Sequence, residues 1–291
     1  MRTRSVIGPA RAGGSLGGVA PSPERLWRVG DWALARRRLA AAVMVLAAAS
    51  NLAAEPGSVG YGCRRVAGVV AHVVTVNLND RGVEVTLVLP PGGIGSAESF
   101  SSMIHRTRPD AAITGTFFGV KCLLPIGNLV RDGQLLYPPA TGTTLAITRD
   151  NRAVLLATRA DQELDWSQYS AAVFAGPRLV KDGATAVAPW AEGFTDPGHY
   201  RRARRTAVGI TAHNKLLLVV VARPISLSHM AKIMKALRAR EAVALDGGTS
   251  AALHYRGTAV VRPGRRLTNI IAVYSNGRPQ HLLAHAPVAA G

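Results

Sequence analysis

Hydrophobic and polar positions alternate along most of the chain from Val66 onward, which is the pattern of β-strands. Runs rich in β-branched residues, such as VVAHVVTVNL and VEVTLVL, are separated by short polar segments. These segments carry residue pairs typical of tight turns, namely Asp132-Gly133, Asp150-Asn151, Asp182-Gly183 and His213-Asn214. The pattern predicts a succession of antiparallel hairpins.

Two segments depart from this alternation. In SLSHMAKIMKALRARE the apolar residues recur at helical spacing, and Ser226 at its start is a typical N-cap. A second, shorter helix is predicted around Ser99 to His105. A chain with many hairpins and few helices predicts an α+β fold, as a single, mostly antiparallel sheet domain.

The first 54 residues follow a different pattern. Three consecutive arginines, 36–38, stand directly before an apolar run from Leu39 to Ala49. That run is shorter than the roughly 20 residues that span a bilayer, but it suits an export signal, and RRRL roughly matches a twin-arginine signal. We therefore predict an N-terminal extension with a signal over 1–54 and one domain over 55–291. The domain is predicted to be periplasmic or extracellular, with no membrane span after signal removal; a buried apolar helix is the alternative.

Composition and charge narrow the class of protein. The 291 residues are 48% hydrophobic, enough for a real core, and 35 Lys and Arg outnumber 17 Asp and Glu to give a net charge of +18. Residues 1–54 hold eight of these basic and two of these acidic residues, so the remainder keeps a charge of +12. Such a charge attracts anionic partners. Export favours acidic or phosphorylated envelope polymers, and no aromatic-interleaved basic motif supports nucleic acid as the partner.

Asp246 stands apart from the acidic residues of the turns and alternating strands. It follows the apolar run Val243-Ala244-Leu245, where an unpaired carboxylate is unfavourable. Gly247 and Gly248 come next and allow close approach of a ligand to the main chain, and Thr249 and Ser250 then supply hydroxyl groups. This order predicts a site at a strand end. The alternative is a tight turn in which Asp246 caps backbone N–H groups.

Three further motifs carry candidate site residues. RRARRTAVGI places Arg205 and Thr206 at a strand start, where an arginine suits bidentate contact with phosphate or carboxylate. TGTFFG puts Thr116 beside Phe117, and FAGPRLVKDG puts Arg178 after a Gly-Pro kink. Each motif also has an ordinary interpretation. RRARRTAVGI would be a solvated basic loop, TGTFFG a strand core and FAGPRLVKDG an exposed turn.

Together and in this order, these motifs resemble the phosphodiester glycosidase family, over roughly residues 65–275. The chain departs from the family pattern at Thr114, Gly119, Thr249 and Ala222-Arg223. The segments that match are Gly115-Thr116-Phe117-Phe118, Leu124-Pro125-Ile126-Gly127, Gly176-Pro177-Arg178-Leu179, Arg205 to Gly209, and Leu245 to Ser250.

The resemblance implies hydrolysis of a glycosyl-1-phosphodiester, or a related glycosidic bond, in an envelope or exported saccharide. Asp246 would then activate water or attack the anomeric carbon, while Arg205 stabilises the departing phosphate. The remaining predicted contacts to the substrate come from Thr116, Phe117, Arg178, Thr206, Gly247, Gly248, Thr249 and Ser250. The alternative is a non-catalytic protein that binds an anionic polysaccharide during exopolysaccharide assembly or export.

No cofactor or metal is predicted, because the chain lacks CxxC and HExxH spacings, and a calcium ion at Asp246 has no support in the sequence. Cys63 and Cys122 are compatible with one disulfide in an oxidising compartment, but the sequence does not show that they meet. The oligomeric state is not predicted.

Overall fold

The computed structural model describes residues 57–279, so the predicted export signal lies outside the described part of the chain. These residues form three antiparallel sheets with two short helices, which confirms the predicted hairpin-rich α+β fold. Within 57–279, no helix has the length and apolar character needed to cross a bilayer.

The largest sheet has seven strands, and its edge strand β1 (Val59–Val66) was not predicted because VGYGCRRV carries glycine and charge instead of a clean alternation. It pairs along its whole length with the next strand in the chain. The spatial order is β1 (Val59–Val66), β2 (Val69–Asn77), β13 (Lys215–Ile225), β12 (Ala203–Thr211), β14 (Ala239–Leu245), β10 (Arg178–Lys181) and β11 (Ala184–Thr185).

The other two sheets have five strands each. One has the order β16 (Thr258–Val261), β15 (Leu253–Tyr255), β4 (Ala111–Thr114), β17 (Ile270–Tyr274) and β3 (Glu84–Val88). The other has the order β6 (Gln134–Tyr137), β5 (Leu129–Arg131), β9 (Tyr169–Ala175), β7 (Gly142–Thr148) and β8 (Ala153–Thr158).

One hydrophobic core joins the three sheets. Val208 of the first, Leu253 of the second and Val173 of the third belong to the same buried cluster. Each sheet therefore buries one face against the others, which is what alternating strands require. The opposite faces carry smaller clusters of their own, two of which include a helix.

Both helices begin at the serines that the sequence pattern indicates. Helix α1 (Phe100–Thr107) is capped by Ser99, whose side chain accepts from the N–H of Ser102, and it packs on the outer face of the second sheet. Helix α2 (Leu227–Ala236) is capped by Ser226 and packs on the outer face of the first sheet. It ends earlier than its apolar pattern predicts, because Arg238 adopts a left-handed conformation and β14 begins directly after it.

The predicted turns are confirmed by their backbone angles. Asp132, Asn151, Asp182 and Asn214 all have positive φ, between 50° and 62°. Asn and Asp tolerate this left-handed region better than other residues with a side chain. Each lies between two antiparallel partner strands, so the turn residues set the hairpin register.

Candidate active site

Asp246 lies directly after β14, an interior strand of the seven-stranded sheet, and only 7% of it is exposed. Its backbone N–H donates to the carbonyl of Gly115, at 3.2 Å, which brings the end of β14 against the loop that follows β4. The carboxylate predicted from the sequence is therefore buried where two of the sheets meet.

Burial raises the pKa of Asp246 from 3.8 to about 6. A hydrogen bond from Ser250, the positive charge of Arg265 and the N–H of Gly247 lower the pKa, but they offset only part of the desolvation. The carboxyl group consequently titrates close to neutral pH, the range in which general bases work best.

Arg265 is the ion-pair partner of Asp246, with 3.5 Å between Nη2 and Oδ2. Its Nε donates to the hydroxyl of Ser250 at 2.6 Å, and its guanidinium lies 4.8 Å from the centre of the Phe118 ring. These contacts hold the cation beside the carboxylate. Arg265 was not predicted as a site residue, since its segment RPGRRL contains three arginines and nothing in the sequence distinguishes one from another.

Two glycines follow Asp246, and the structure explains the absence of a side chain differently at each position. A Cβ on Gly247 would lie 2.7 Å from the carbonyl oxygen of Arg204, so the chain's own backbone occupies the space that a side chain would need. Gly248 has a φ of +55° and opens the short 3-10 turn Gly248–Ser250. The missing bulk at Gly247 thus serves contact with β12, and the predicted contact of Gly247 with a substrate stays a prediction.

The Gly115-Thr116 loop is held by Asn269, a residue that the sequence analysis did not single out. The side-chain oxygen of Asn269 accepts the N–H of Thr116 at 2.8 Å. A Cβ on Gly115 would meet the same oxygen at 1.9 Å, so only glycine leaves room for this contact. The signal in the sequence was an amide side chain at the start of the apolar strand β17, in LTNIIAVY.

Three buried polar atoms around the end of β14 have no hydrogen-bond partner among the described residues. They are Oδ2 of Asp246 and the hydroxyl oxygens of Thr116 and Thr206. Thr206 is the β12 partner of Leu245, and Thr116 follows the residue that binds the Asp246 N–H. Buried polar groups normally find partners, so an unsatisfied group of this kind indicates a place where a ligand or water binds.

Arg205 is buried beside this site, but its hydrogen bonds go to main-chain carbonyls. Nε donates to Ile225 at 3.2 Å, and Nη2 donates to Gly198 at 3.3 Å, to His199 at 3.2 Å and to Arg201. Among the described residues it forms no ion pair. Its predicted contact with a substrate phosphate stays a prediction; what the structure shows is that Arg205 anchors the 198–201 loop.

Arg178 also has a protein partner. Its Nη2 donates to Glu241 at 2.8 Å, on the neighbouring strand β14. Glu241 precedes Asp246 by five residues, or about 16 Å along a strand. The structure therefore does not bring the Arg178 guanidinium to Asp246 through this pair, and its role toward phosphate likewise stays a prediction.

Phe117 belongs to an aromatic cluster next to the site. Its ring lies 5.9 Å from Phe194 and 5.3 Å from His199, both in edge-to-face geometry. Phe194 in turn contacts Phe174 and His199. Desolvation by burial lowers the pKa of His199 from its ordinary value, which favours the neutral imidazole. The two hydroxyl residues that follow Gly248 differ in exposure: Thr249 is exposed, whereas Ser250 is buried and contacts Arg265.

Glu192 is a second, partly buried carboxylate near β14, and it was not predicted as a site residue. Both of its oxygens accept the N–H of Arg178, at 2.9 and 3.0 Å. Its Oε2 lies near Gly176, whose N–H donates to the carbonyl of Ala244. Burial raises the pKa of Glu192.

Within residues 57–279, no cluster of His, Cys, Asp and Glu side chains has the arrangement of a metal site. Cys63 and Cys122 are both exposed and both free thiols. A disulfide between them is therefore not formed in this structure.

Comparison with known proteins identifies the family. The family model of the phosphodiester glycosidases matches residues 107–274, which is more than half of the chain and includes Asp246, Arg265 and Asn269. The chain belongs to the phosphodiester glycosidase family. No curated protein sequence matches it.

Solved structures show the same fold at low sequence identity. A Synechocystis protein of unknown function shares 16% identity with a TM-score of 0.62, over 74% of this chain and 61% of that one. The zebrafish N-acetylglucosamine-1-phosphodiester α-N-acetylglucosaminidase catalytic domain, auto-inhibited by its pro-peptide, shares 21% with a TM-score of 0.60, over 74% and 82%. A Burkholderia pseudomallei protein described as exported shares 16% with a TM-score of 0.52, over 70% and 74%. The chain thus spans less than two thirds of the Synechocystis protein.

Proposed function

We propose that this phosphodiester glycosidase hydrolyses a glycosyl-1-phosphodiester, with Asp246 as the catalytic carboxylate and Arg265 as the cation that stabilises the departing phosphate. The observation that carries this proposal is the buried Asp246, with an unsatisfied oxygen and a pKa of about 6, next to an arginine. The family membership supplies the reaction class.

In the proposed reaction the bond between the anomeric carbon and the phosphate oxygen breaks, and water supplies the new hydroxyl group. Asp246 is largely ionised at pH 7, so it takes the proton of the attacking water or bonds to the anomeric carbon itself. A phosphate monoester leaves with its electron pair and needs positive charge more than it needs a proton. Arg265 provides that charge in a buried setting, where it acts more strongly than in water.

The hydroxyl groups of Thr116 and Thr206 are proposed to bind the sugar, because both are buried without a partner among the described residues. Phe117 offers an aromatic edge beside them. The saccharide is proposed to be an envelope or exported one, in line with the positive charge of the domain and the predicted signal over 1–54.

The test is incubation of the purified domain with N-acetylglucosaminyl-1-phosphate diesters and related glycosyl-1-phosphodiesters, followed by measurement of the released reducing sugar. Release that Asp246→Asn abolishes supports the proposal. Tight binding of an anionic glycan without any release would instead support the rival function, a non-catalytic polysaccharide-binding protein.

Export is a separate proposal with its own test. Residues 1–54 would be fused to a reporter that is active only outside the cytoplasm, with arginines 36–38 replaced by glutamine as the control. Reporter activity that depends on these arginines supports export, whereas fusion protein that accumulates in the cells without reporter activity contradicts it.

A further inference from the structure

A groove of about 930 Å³ lies next to the proposed active site, between helix α1, the β15–β16 hairpin and the segment 262–266. This volume is near the upper end of the range for small-molecule pockets, so the groove has room for more than a single small group. Asp246 does not line it, but Arg265 does.

The lining of the groove is strongly basic. It includes Arg108, Arg262, Arg265 and Arg266 and no Asp or Glu. Among the described residues only Arg265 of these four has a carboxylate within ion-pair distance. Glu98, which precedes helix α1, is already paired with Arg106 at 2.6 Å. The positive charge of the groove is therefore not neutralised by its own walls.

Hydrogen bonds hold the walls of the groove in place. The N–H of Gly264 donates to the carbonyl of Thr249 at 2.7 Å, and Nη2 of Arg204 donates to the carbonyl of Arg262 at 2.9 Å. Leu267 and Glu98 exchange two backbone hydrogen bonds of 2.9 Å, which tie this segment to the start of α1. A groove whose walls are fixed before binding loses little entropy when a ligand enters.

Arg265 connects the groove to the carboxylate, since it pairs with Asp246 and also lines the groove. We propose that the groove binds the part of the substrate beyond the scissile phosphodiester, and that this part is a glycan carrying negative charge. This inference rests on the proposed function. It adds the substrate class: an anionic saccharide chain whose charged groups, carboxylate or phosphate, contact Arg108, Arg262 and Arg266.

The lining favours a glycan over a nucleic acid. Single-stranded nucleic acid binds basic grooves through bases that stack on exposed aromatic rings. The one Phe, Tyr or Trp in this lining is Phe100, which is 4% exposed and packs beneath the groove in the core of α1. The lining also holds the imidazoles of His105, which is exposed, and His254, which is buried, so the groove offers four guanidinium groups but no exposed Phe, Tyr or Trp ring for bases to stack on.

The kinetic test uses two glycosyl-1-phosphodiesters that differ only in the charge of the leaving sugar, glucose or glucuronate. We expect the KM for the glucuronate substrate to be lower by about tenfold, the effect of one charge-assisted hydrogen bond. In the double variant Arg262→Gln/Arg266→Gln this advantage should fall to about twofold or less. The matched control is Arg65→Gln/Arg81→Gln, which removes the same charge from exposed positions elsewhere and should keep the full advantage.

A binding measurement separates this inference from the proposed function. Fluorescent oligogalacturonate and its neutral methyl ester would be titrated into the wild-type domain and both double variants. Preference for the charged oligomer that is lost only in the groove variant supports the groove, even if no phosphodiester is hydrolysed. Equal binding of both oligomers, or an unchanged preference in the groove variant, overturns it. Tighter binding of a single-stranded oligonucleotide at the same arginines would also overturn it, in favour of nucleic acid.

Discussion

Asp246 and Arg265 meet at the end of β14, with 3.5 Å between Oδ2 of the carboxylate and Nη2 of the guanidinium. Ser250 lies between them and accepts a hydrogen bond from Arg265 at 2.6 Å. Even with this cation beside it, the carboxylate keeps a raised pKa, because burial outweighs the attraction. The pair therefore combines a base that titrates near neutral pH with a fixed positive charge.

Replacing Asp246 by Asn should lower kcat by about 10²–10⁴-fold, because a general base typically contributes a factor of this size to the rate. It should also stabilise the domain at pH 7 by about 1–3 kcal/mol, because the raised pKa means that the folded state holds the ionised carboxylate at a cost. Urea unfolding at pH 7 and pH 4 measures this change.

The raised pKa of Asp246 makes the stability of the folded state depend on pH. Between about pH 4 and 6 the folded state binds the proton more tightly than the unfolded chain, so this group's favourable contribution is complete below pH 4 and is lost as pH rises through 6. The stabilisation by Asn should accordingly vanish at pH 4. Glu163→Gln, in an exposed loop, is the control, and an equal gain in stability of Asp246→Asn at both pH values would contradict the assignment.

The pH profile of kcat/KM should rise with pH and level off above about 6 as Asp246 ionises. Arg265→Ala should move this rise to higher pH, because the cation lowers the pKa of Asp246, and it should lower kcat/KM by about 10²-fold through loss of phosphate stabilisation. Arg265→Lys should restore the position of the rise. A rise that stays in place in the alanine variant would show that Asp246 is not the titrating group.

Gly247→Ala should destabilise the domain by about 1–3 kcal/mol, because the added Cβ would lie 2.7 Å from the Arg204 carbonyl oxygen and force β12 and the strand end apart. Gly264→Ala is the matched control, since its nearest neighbours would be 3.8 Å away and its change should stay within about 0.5 kcal/mol. Denaturant unfolding of both variants compares them directly, and equal stabilities would refute the steric explanation.

Arg205→Ala should loosen the 198–201 loop, because three of its carbonyls and that of Ile225 lose their donor. We expect a loss of stability of about 3 kcal/mol and faster proteolytic cleavage within the loop. Arg205→Lys should recover little, since an ammonium group does not reproduce the fork of a guanidinium. If Arg205→Ala has the same free energy of unfolding and the same resistance to protease as the wild type but loses turnover, Arg205 acts on the substrate instead.

Local sequence patterns correctly predicted much of the fold. Ser99 and Ser226 are N-caps whose hydroxyl groups satisfy the first backbone N–H groups of each helix, whatever the rest of the protein does. Asp132-Gly133 forms a tight turn for an equally local reason. Strand β1 was not predicted, because its Gly and Arg residues adopt a strand conformation only through pairing with β2.

The sequence by itself determined that Asp246 is buried, because an apolar strand leads into it and two glycines follow it. It did not determine which arginine reaches that carboxylate. Arg205 is close to it in the fold but is engaged by main-chain carbonyls, whereas Arg265 arrives from a segment beyond β16. A long side chain binds whichever acceptors the tertiary structure brings within its reach, and the paths of distant loops, not local spacing, decide which acceptors those are.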